Sequence, residues 1–158
     1  MEEIKFNSEE LEKVEYHKAK YPNQKAAIMP VLWMAQNKFG WLSKEVMEYV
    51  AELLSLPYSH VYGVASFYTM YFKKPMGKHH IQVCTNVSCM LRNGEEIYDH
   101  VSNKLNIKHN ETTPDGLFSL EETECMGACG GAPMIAINEV FYENINIQKV
   151  DDLINNLK

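Results

Sequence analysis

The spacing of apolar residues changes character near position 75, and the chain divides there into two halves with different periods. The first half has the period of helices. Asn7 followed by Glu10 has the form of a capping box and predicts a polar helix through Glu9, Leu11, Val14 and Lys18, stopping at Tyr21-Pro22. Ile28, Val31, Leu32, Ala35 and Phe39 then share one apolar face of a second helix, with Gly40 as its C-cap. Pro30 fits that helix only in its first turn or at a kink. Ser43 predicts the cap of a third helix, buried through Val46, Met47, Val50, Leu53 and Leu54, and a shorter helix follows Pro57. Lys73-Lys74-Pro75-Met76-Gly77 combines charge, proline and glycine and marks the boundary.

Beyond it, residues 79–84 alternate as a strand does. Ile97, Val101 and Leu105 predict a helix over 94–105, and Thr113-Pro114-Asp115-Gly116 a turn. Strands are predicted over 117–124, 134–138 and 140–143, and a closing helix through Val150, Leu153, Ile154 and Leu157. The predicted class is α+β: a helical bundle over residues 1–75, then a β-α-β-β-β-α unit over 76–158.

Size and charge narrow the functions open to such a chain. At 158 residues it can bury on the order of 70% of its unfolded surface, so it needs neither disulfides nor a metal in order to fold. A net charge of −6 and a pI near 5.5 argue against a nucleic-acid partner, which calls for a basic face. The longest apolar stretch, residues 26–35, is broken by Pro30 and falls short of the roughly 20 residues that span a bilayer. Met1-Glu2-Glu3-Ile4-Lys5 has neither a signal-peptide core nor a transit pattern, so the expected location is cytoplasmic, where thiols stay reduced.

That setting makes the cysteines the most informative residues. The chain has four, in two tight pairs, Cys84-Thr85-Asn86-Val87-Ser88-Cys89 and Cys125-Met126-Gly127-Ala128-Cys129. Each pair leaves a predicted strand. If the two strands run parallel as neighbours, both loops open at one sheet end and four thiolates can share a pocket. Zinc, an iron–sulfur cluster and thiol chemistry all remain open on spacing alone. The absence of a Cys-x-x-Cys motif weakens the last. Gly127-Ala128-Cys129-Gly130-Gly131-Ala132-Pro133 has little side-chain bulk, which lets backbone approach a large inorganic anion and favours iron–sulfur over zinc.

Read in order, Val83-Cys84-Thr85-Asn86, Cys89-Met90-Leu91-Arg92, Glu124-Cys125-Met126-Gly127-Ala128-Cys129 and Ala132-Pro133-Met134 closely resemble the thioredoxin-like [2Fe-2S] subunit of respiratory complex I. This is the 24-kilodalton, or E-type, subunit family of NADH:quinone oxidoreductase. The resemblance extends through Glu111 to Gly116, Ile137-Asn138 and Tyr142-Glu143, and in the first half through Tyr21-Pro22, Gln36, Gly40-Trp41, Val61, Phe67-Tyr68 and residues 75–78. It implies a thioredoxin-like second half and a [2Fe-2S] cluster on Cys84, Cys89, Cys125 and Cys129. It also implies an electron-transfer role beside a flavin- and NADH-binding subunit of the F type, in a complex at the inner face of the membrane. The small subunits of NAD-linked hydrogenases and formate dehydrogenases look alike, and a zinc assembly module is the redox-silent alternative. Gly130-Gly131 departs from relatives that carry bulkier residues there.

No Gly-x-Gly-x-x-Gly follows a strand, no P-loop is present, and no Ser/His/Asp or Cys/His arrangement suggests a nucleophile. The hydride chemistry of NADH therefore falls to a flavin on another subunit, and no catalytic residue is assigned to this chain. Phe67, Tyr68, Tyr71 and Phe72 fit either a docking face or core; His79 and His80 could substitute as ligands, but four cysteines already suffice and ordinary surface or edge-strand histidines are expected.

Overall fold

In a computed structural model, which describes residues 4–157, the chain divides into two compact units, one ending at Pro75 and the other starting at Met76. The first is helical. Asn7 Oδ1 accepts from the Glu10 N–H at 2.9 Å while Glu10 Oε2 accepts from the Asn7 N–H at 2.7 Å, so the capping box closes in both directions over helix α1, Ser8–Lys20. A 3-10 turn, Gln24–Ala27, leads into α2, Ile28–Phe39, and puts Pro30 in the first turn, where no N–H is needed. Gly40 takes the expected left-handed C-cap and donates to the Gln36 carbonyl. Ser43 caps α3, Lys44–Leu53, through the Val46 N–H, and α4, Tyr58–Phe67, follows Pro57.

The four helices enclose Leu32, Ala35, Val50, Leu54, Val61 and Ala65. Buried Gln36 makes a long-range polar clasp. Its Nε2 donates to the Met70 carbonyl at 2.9 Å and its Oε1 accepts from the Phe72 N–H at 2.6 Å. The aromatic run is thereby split between its two readings. Tyr71 is core, its hydroxyl donating to the Met29 carbonyl, whereas Phe67 is 77% exposed.

The second unit is α+β. Its strands are β1 (His79–Cys84), β2 (Glu111–Thr112), β3 (Phe118–Thr123), β4 (Ile135–Ile137) and β5 (Val140–Tyr142), in the sheet order β2-β3-β1-β4-β5. Between β1 and β2 lie α5 (Val87–Met90) and α6 (Gly94–Leu105), and α7 (Ile147–Asn156) closes the unit. The order is thus β-α-α-β-β-β-β-α. Two short elements go beyond what the periodicity predicts: four-residue α5 and two-residue β2, which forms a hairpin with β3 across the turn at 113–116. Neither is long enough to show a period.

β1 pairs with β3 in parallel, Cys84 opposite Thr123, as the shared-pocket expectation requires. The remaining pairings are antiparallel. Ile81, Val83, Leu120, Ile135 and Ile137 meet Ile97 and Val101 of α6 and Val150 and Ile154 of α7 in one core. Each such side chain contributes about 1.5–3 kcal/mol when fully buried. His80 and Ser119, paired across β1 and β3, are also buried. His80 Nδ1 lies 2.9 Å from Ser119 Oγ, and its Nε2 2.9 Å from Glu121 Oε2, to which Gln82 also donates.

Gly94 fixes where α6 begins. A Cβ there would stand 2.8 Å from the Cys84 carbonyl oxygen and 2.9 Å from the Cys89 carbonyl carbon and oxygen, all backbone atoms with little room to yield. Gly94→Ala is therefore expected to cost about 1–3 kcal/mol, as overpacking does. At Gly63, inside α4, a Cβ meets nothing within 4 Å, and Gly63→Ala is expected to gain up to about 1 kcal/mol through helix propensity. Chemical denaturation of the two variants, read by circular dichroism, checks the opposite signs.

A second prediction concerns acid. Burial pushes the Glu121 carboxyl up, but hydrogen bonds from His80 and Gln82 outweigh it and hold the group below its ordinary 4.5. Because the folded value is the depressed one, its stabilisation is present above the unfolded value and drains as pH falls through the folded value. Glu121→Gln is expected to flatten that acid limb, measurable as melting temperature from about pH 7 down to about pH 3.

Candidate metal centre

The parallel pairing delivers both cysteine segments to the carboxyl end of the sheet. Cys84 is the last residue of β1, and Cys89 sits within α5 rather than in an open loop. Asn86 starts that short helix, its Oδ1 accepting from the Val87 N–H. Cys125 lies in the loop after β3, and Cys129 opens a 3-10 turn, Cys129–Gly131, that runs into the Ala132-Pro133 bond, which is cis.

Two of the thiols are buried and two exposed. Cys84 and Cys89 pack with Ala132 and Met134 in a small cluster separate from the sheet core, while Cys125 and Cys129 are at the surface. Burial pushes the Cys89 thiol up to about 11; a hydrogen bond with the Cys84 side chain adds to this, the Met134 backbone opposes it, and the Cys129 sulfur contributes a smaller push. Cys84 Sγ lies 3.6 Å from the Glu124 carbonyl oxygen, and Cys125 Sγ lies 3.9 Å from Cys129 Sγ. That separation is close to the roughly 3.8 Å that two thiolates adopt on one tetrahedral metal with bonds of about 2.3 Å.

This donor set fits a binuclear iron–sulfur group. Four soft sulfurs with no carboxylate among them suit iron–sulfur or zinc. A cluster would spread its four ligands over two metals, and Cys125 and Cys129, 3.9 Å apart, make one close pair of the kind it needs. The backbone contributes as well: Gly127, at φ 77°, turns its N–H toward Cys125 Sγ at 3.4 Å.

The Thr85 amide donates to the Thr123 carbonyl and Gly131's to Ala128, so neither points at a sulfur. At Gly131 a Cβ would collide with the Glu143 side chain; the missing bulk seats that carboxylate. The two histidines lie on β1, an inner strand and not an edge one: His80 is buried and engaged by Ser119 and Glu121, and His79 packs on the Phe118 ring. Sequence reasoning gave no part to Arg92, the only arginine of the protein, whose Nη1 donates to the Ala132 carbonyl at 2.7 Å. It ties the end of the first cysteine segment to the end of the second. Its rarity among fourteen lysines is the signal that could have found it.

Comparison with known proteins gives the family. The model of the thioredoxin-like [2Fe-2S] ferredoxin family matches residues 14–158. The NADH-quinone oxidoreductase E subunit of Rickettsia prowazekii (strain Madrid E) is 45% identical over 152 residues, covering 94% of this chain and 86% of the relative. An E subunit of the same enzyme from Rhizobium meliloti (strain 1021), the one numbered 2 there, is 40% identical over 147 residues, covering 93% and 88%. Among solved structures, an NAD+-reducing [NiFe]-hydrogenase in the H2-reduced state superposes with a TM-score of 0.73 at 22% identity, over 82% of this chain and 22% of that longer one, a likeness of fold. The protein belongs to the thioredoxin-like [2Fe-2S] ferredoxin family, together with the E subunits of NADH-quinone oxidoreductase.

Proposed function

We propose that Cys84, Cys89, Cys125 and Cys129 hold a [2Fe-2S] cluster and that the protein exchanges single electrons with the flavin of an NADH-oxidising partner in a quinone-reducing complex. The observation that carries this reading is the meeting of both cysteine segments at one sheet end, in a protein 40–46% identical to E subunits of that enzyme. When bound, the cluster supplies a one-electron carrier. The protein's own residues do the rest. Cys84 and Cys89 anchor from within the fold, and Cys125 and Cys129 close the site from the surface. Gly127 donates to a ligand sulfur, and Arg92 holds the two segments together.

Partner docking is supported by the rim of the site. Val87, Met90 and Leu91, on and just after the helix that carries Cys89, are 57%, 43% and 76% exposed. Exposed apolar residues beside a redox group suit a partner that must come close to it. No helix among the described residues is long and apolar enough to cross a membrane, which suits a subunit held at the membrane by its complex. The high identity to E subunits favours the respiratory complex over the hydrogenase, whose likeness is of fold alone.

Visible absorption of anaerobically prepared protein, before and after dithionite, tests the cluster. A red-brown chromophore that bleaches is expected, with iron and acid-labile sulfide equal at about two per polypeptide. Cys84→Ala and Cys125→Ala are each expected to lose it while keeping their helical circular dichroism. A colourless protein with about one zinc would overturn the electron-transfer reading. The isolated, flavin-free protein is expected to show no NADH oxidation with an artificial acceptor; turnover would contradict the division of labour. Leu91→Glu is expected to leave the spectrum unchanged and weaken co-purification with the flavin subunit at least tenfold, about 1.4 kcal/mol.

A further inference from the structure

Two threonines flank Cys84, and their hydroxyls differ in one respect. Thr85 follows it in sequence, and its hydroxyl donates to Glu122 Oε1 at 2.9 Å. Thr123 faces it across the parallel ladder, as its direct Cα partner. Paired residues of neighbouring strands present their side chains on the same face, so Thr123 and Cys84 stand side by side. Thr123 Oγ1 is buried and has no hydrogen-bond partner among the described residues. Its main chain is well held, the carbonyl accepting from the Thr85 N–H at 3.2 Å. The orphaned group is thus the hydroxyl alone, at the end of β3 against which Cys84 Sγ rests through the Glu124 carbonyl.

A buried hydroxyl without a partner is unfavourable, and each such group in a native protein calls for a cause. The neighbouring chemistry supplies one. Iron–sulfur clusters present ligand and inorganic sulfurs that accept hydrogen bonds, and such bonds are among the determinants of potential. We propose that Thr123 Oγ1 donates a hydrogen bond to a sulfur of the cluster on its Cys84 side, and that this bond raises the reduction potential. Thr123 is a positioning and tuning residue, not a ligand. The direction follows from charge: reduction adds an electron to the site, and a donor stabilises the more negative state more strongly. The proposal rests on the assignment of the cluster to the four cysteines.

Thr123→Val keeps the shape and removes the hydroxyl, whereas Thr123→Ser keeps the hydroxyl and removes the methyl. The full-length protein and both variants, loaded with iron and sulfide, would be titrated potentiometrically and followed by visible absorption and electron paramagnetic resonance. Thr123→Val is expected to disfavour reduction about tenfold, a midpoint lowered by about 59 mV for one electron, with Thr123→Ser close to the parent. Thermal unfolding of the metal-free proteins is the second readout. Without the cluster the hydroxyl has no partner to lose, so Thr123→Val is expected to leave the melting temperature unchanged or raise it. An unchanged midpoint in Thr123→Val, or a clear drop in its metal-free stability, would overturn the proposal. If Thr123→Val alone loads poorly, the metal-free melting decides. Absence of the chromophore from all three proteins would sink the cluster assignment itself, and this proposal with it.

Discussion

The parallel pairing of β1 with β3 is the constraint on which the site depends. In the register His79 opposite Phe118 through Cys84 opposite Thr123, both strands end at the same edge of the sheet. An antiparallel arrangement of two six-residue strands would put the cysteine segments about 20 Å apart. A parallel pair cannot be joined by a tight turn and needs a crossover. Here the crossover is α5, α6 and the β2 hairpin, and its helical part begins inside the first cysteine segment. Gly94 sets how closely α6 can approach that segment. One packing decision thus fixes the helix, the strand pairing and the positions of two thiols together.

The site is built asymmetrically. Cys84 and Cys89 are held by Met134, Ala132 and the start of α6, whereas Cys125 and Cys129 stand on a glycine-rich loop at the surface. Burial keeps the Cys89 thiol protonated well above neutral pH, so a metal that binds there must displace its proton. Thiolate chemistry at this cysteine in the metal-free protein is correspondingly disfavoured. The arrangement suits ligation much better than catalysis by a free thiol.

The helical half was legible because its signals are local. A capping box, a glycine C-cap and a serine N-cap each act within one turn, and Asn7, Gly40 and Ser43 do what their neighbours in sequence imply. The pairing of the cysteines was legible from spacing, whereas what they hold was suggested by the resemblance. What escaped the sequence depends on register or closure. β2 exists only because two residues meet β3 across a turn, and α5 is a single turn without a period. The ladder of buried His80 and Ser119 with half-buried Gln82 and Glu121 requires the pairing of strands about forty positions apart. The orphaned hydroxyl of Thr123 has the same origin, since a threonine near the end of a strand is unremarkable until its opposite number is known to be a cysteine.

The cores explain why the site and the fold are separable. The helical unit buries its apolar residues without any cysteine, and the sheet of the second unit does likewise through Ile81, Val83, Leu120, Ile135 and Ile137. The two buried thiols belong to a third, smaller cluster with Ala132 and Met134. A zinc finger, which has little core of its own, couples metal binding to folding outright. Here the sheet and α6 pack without any metal, and Cys84 and Cys89 are positioned by buried contacts that involve none. The same separation places the adjustable features of the site, the Gly127 amide, the Arg92 clasp and the Thr123 hydroxyl, in positions outside the sheet core, where they can vary without disturbing the fold.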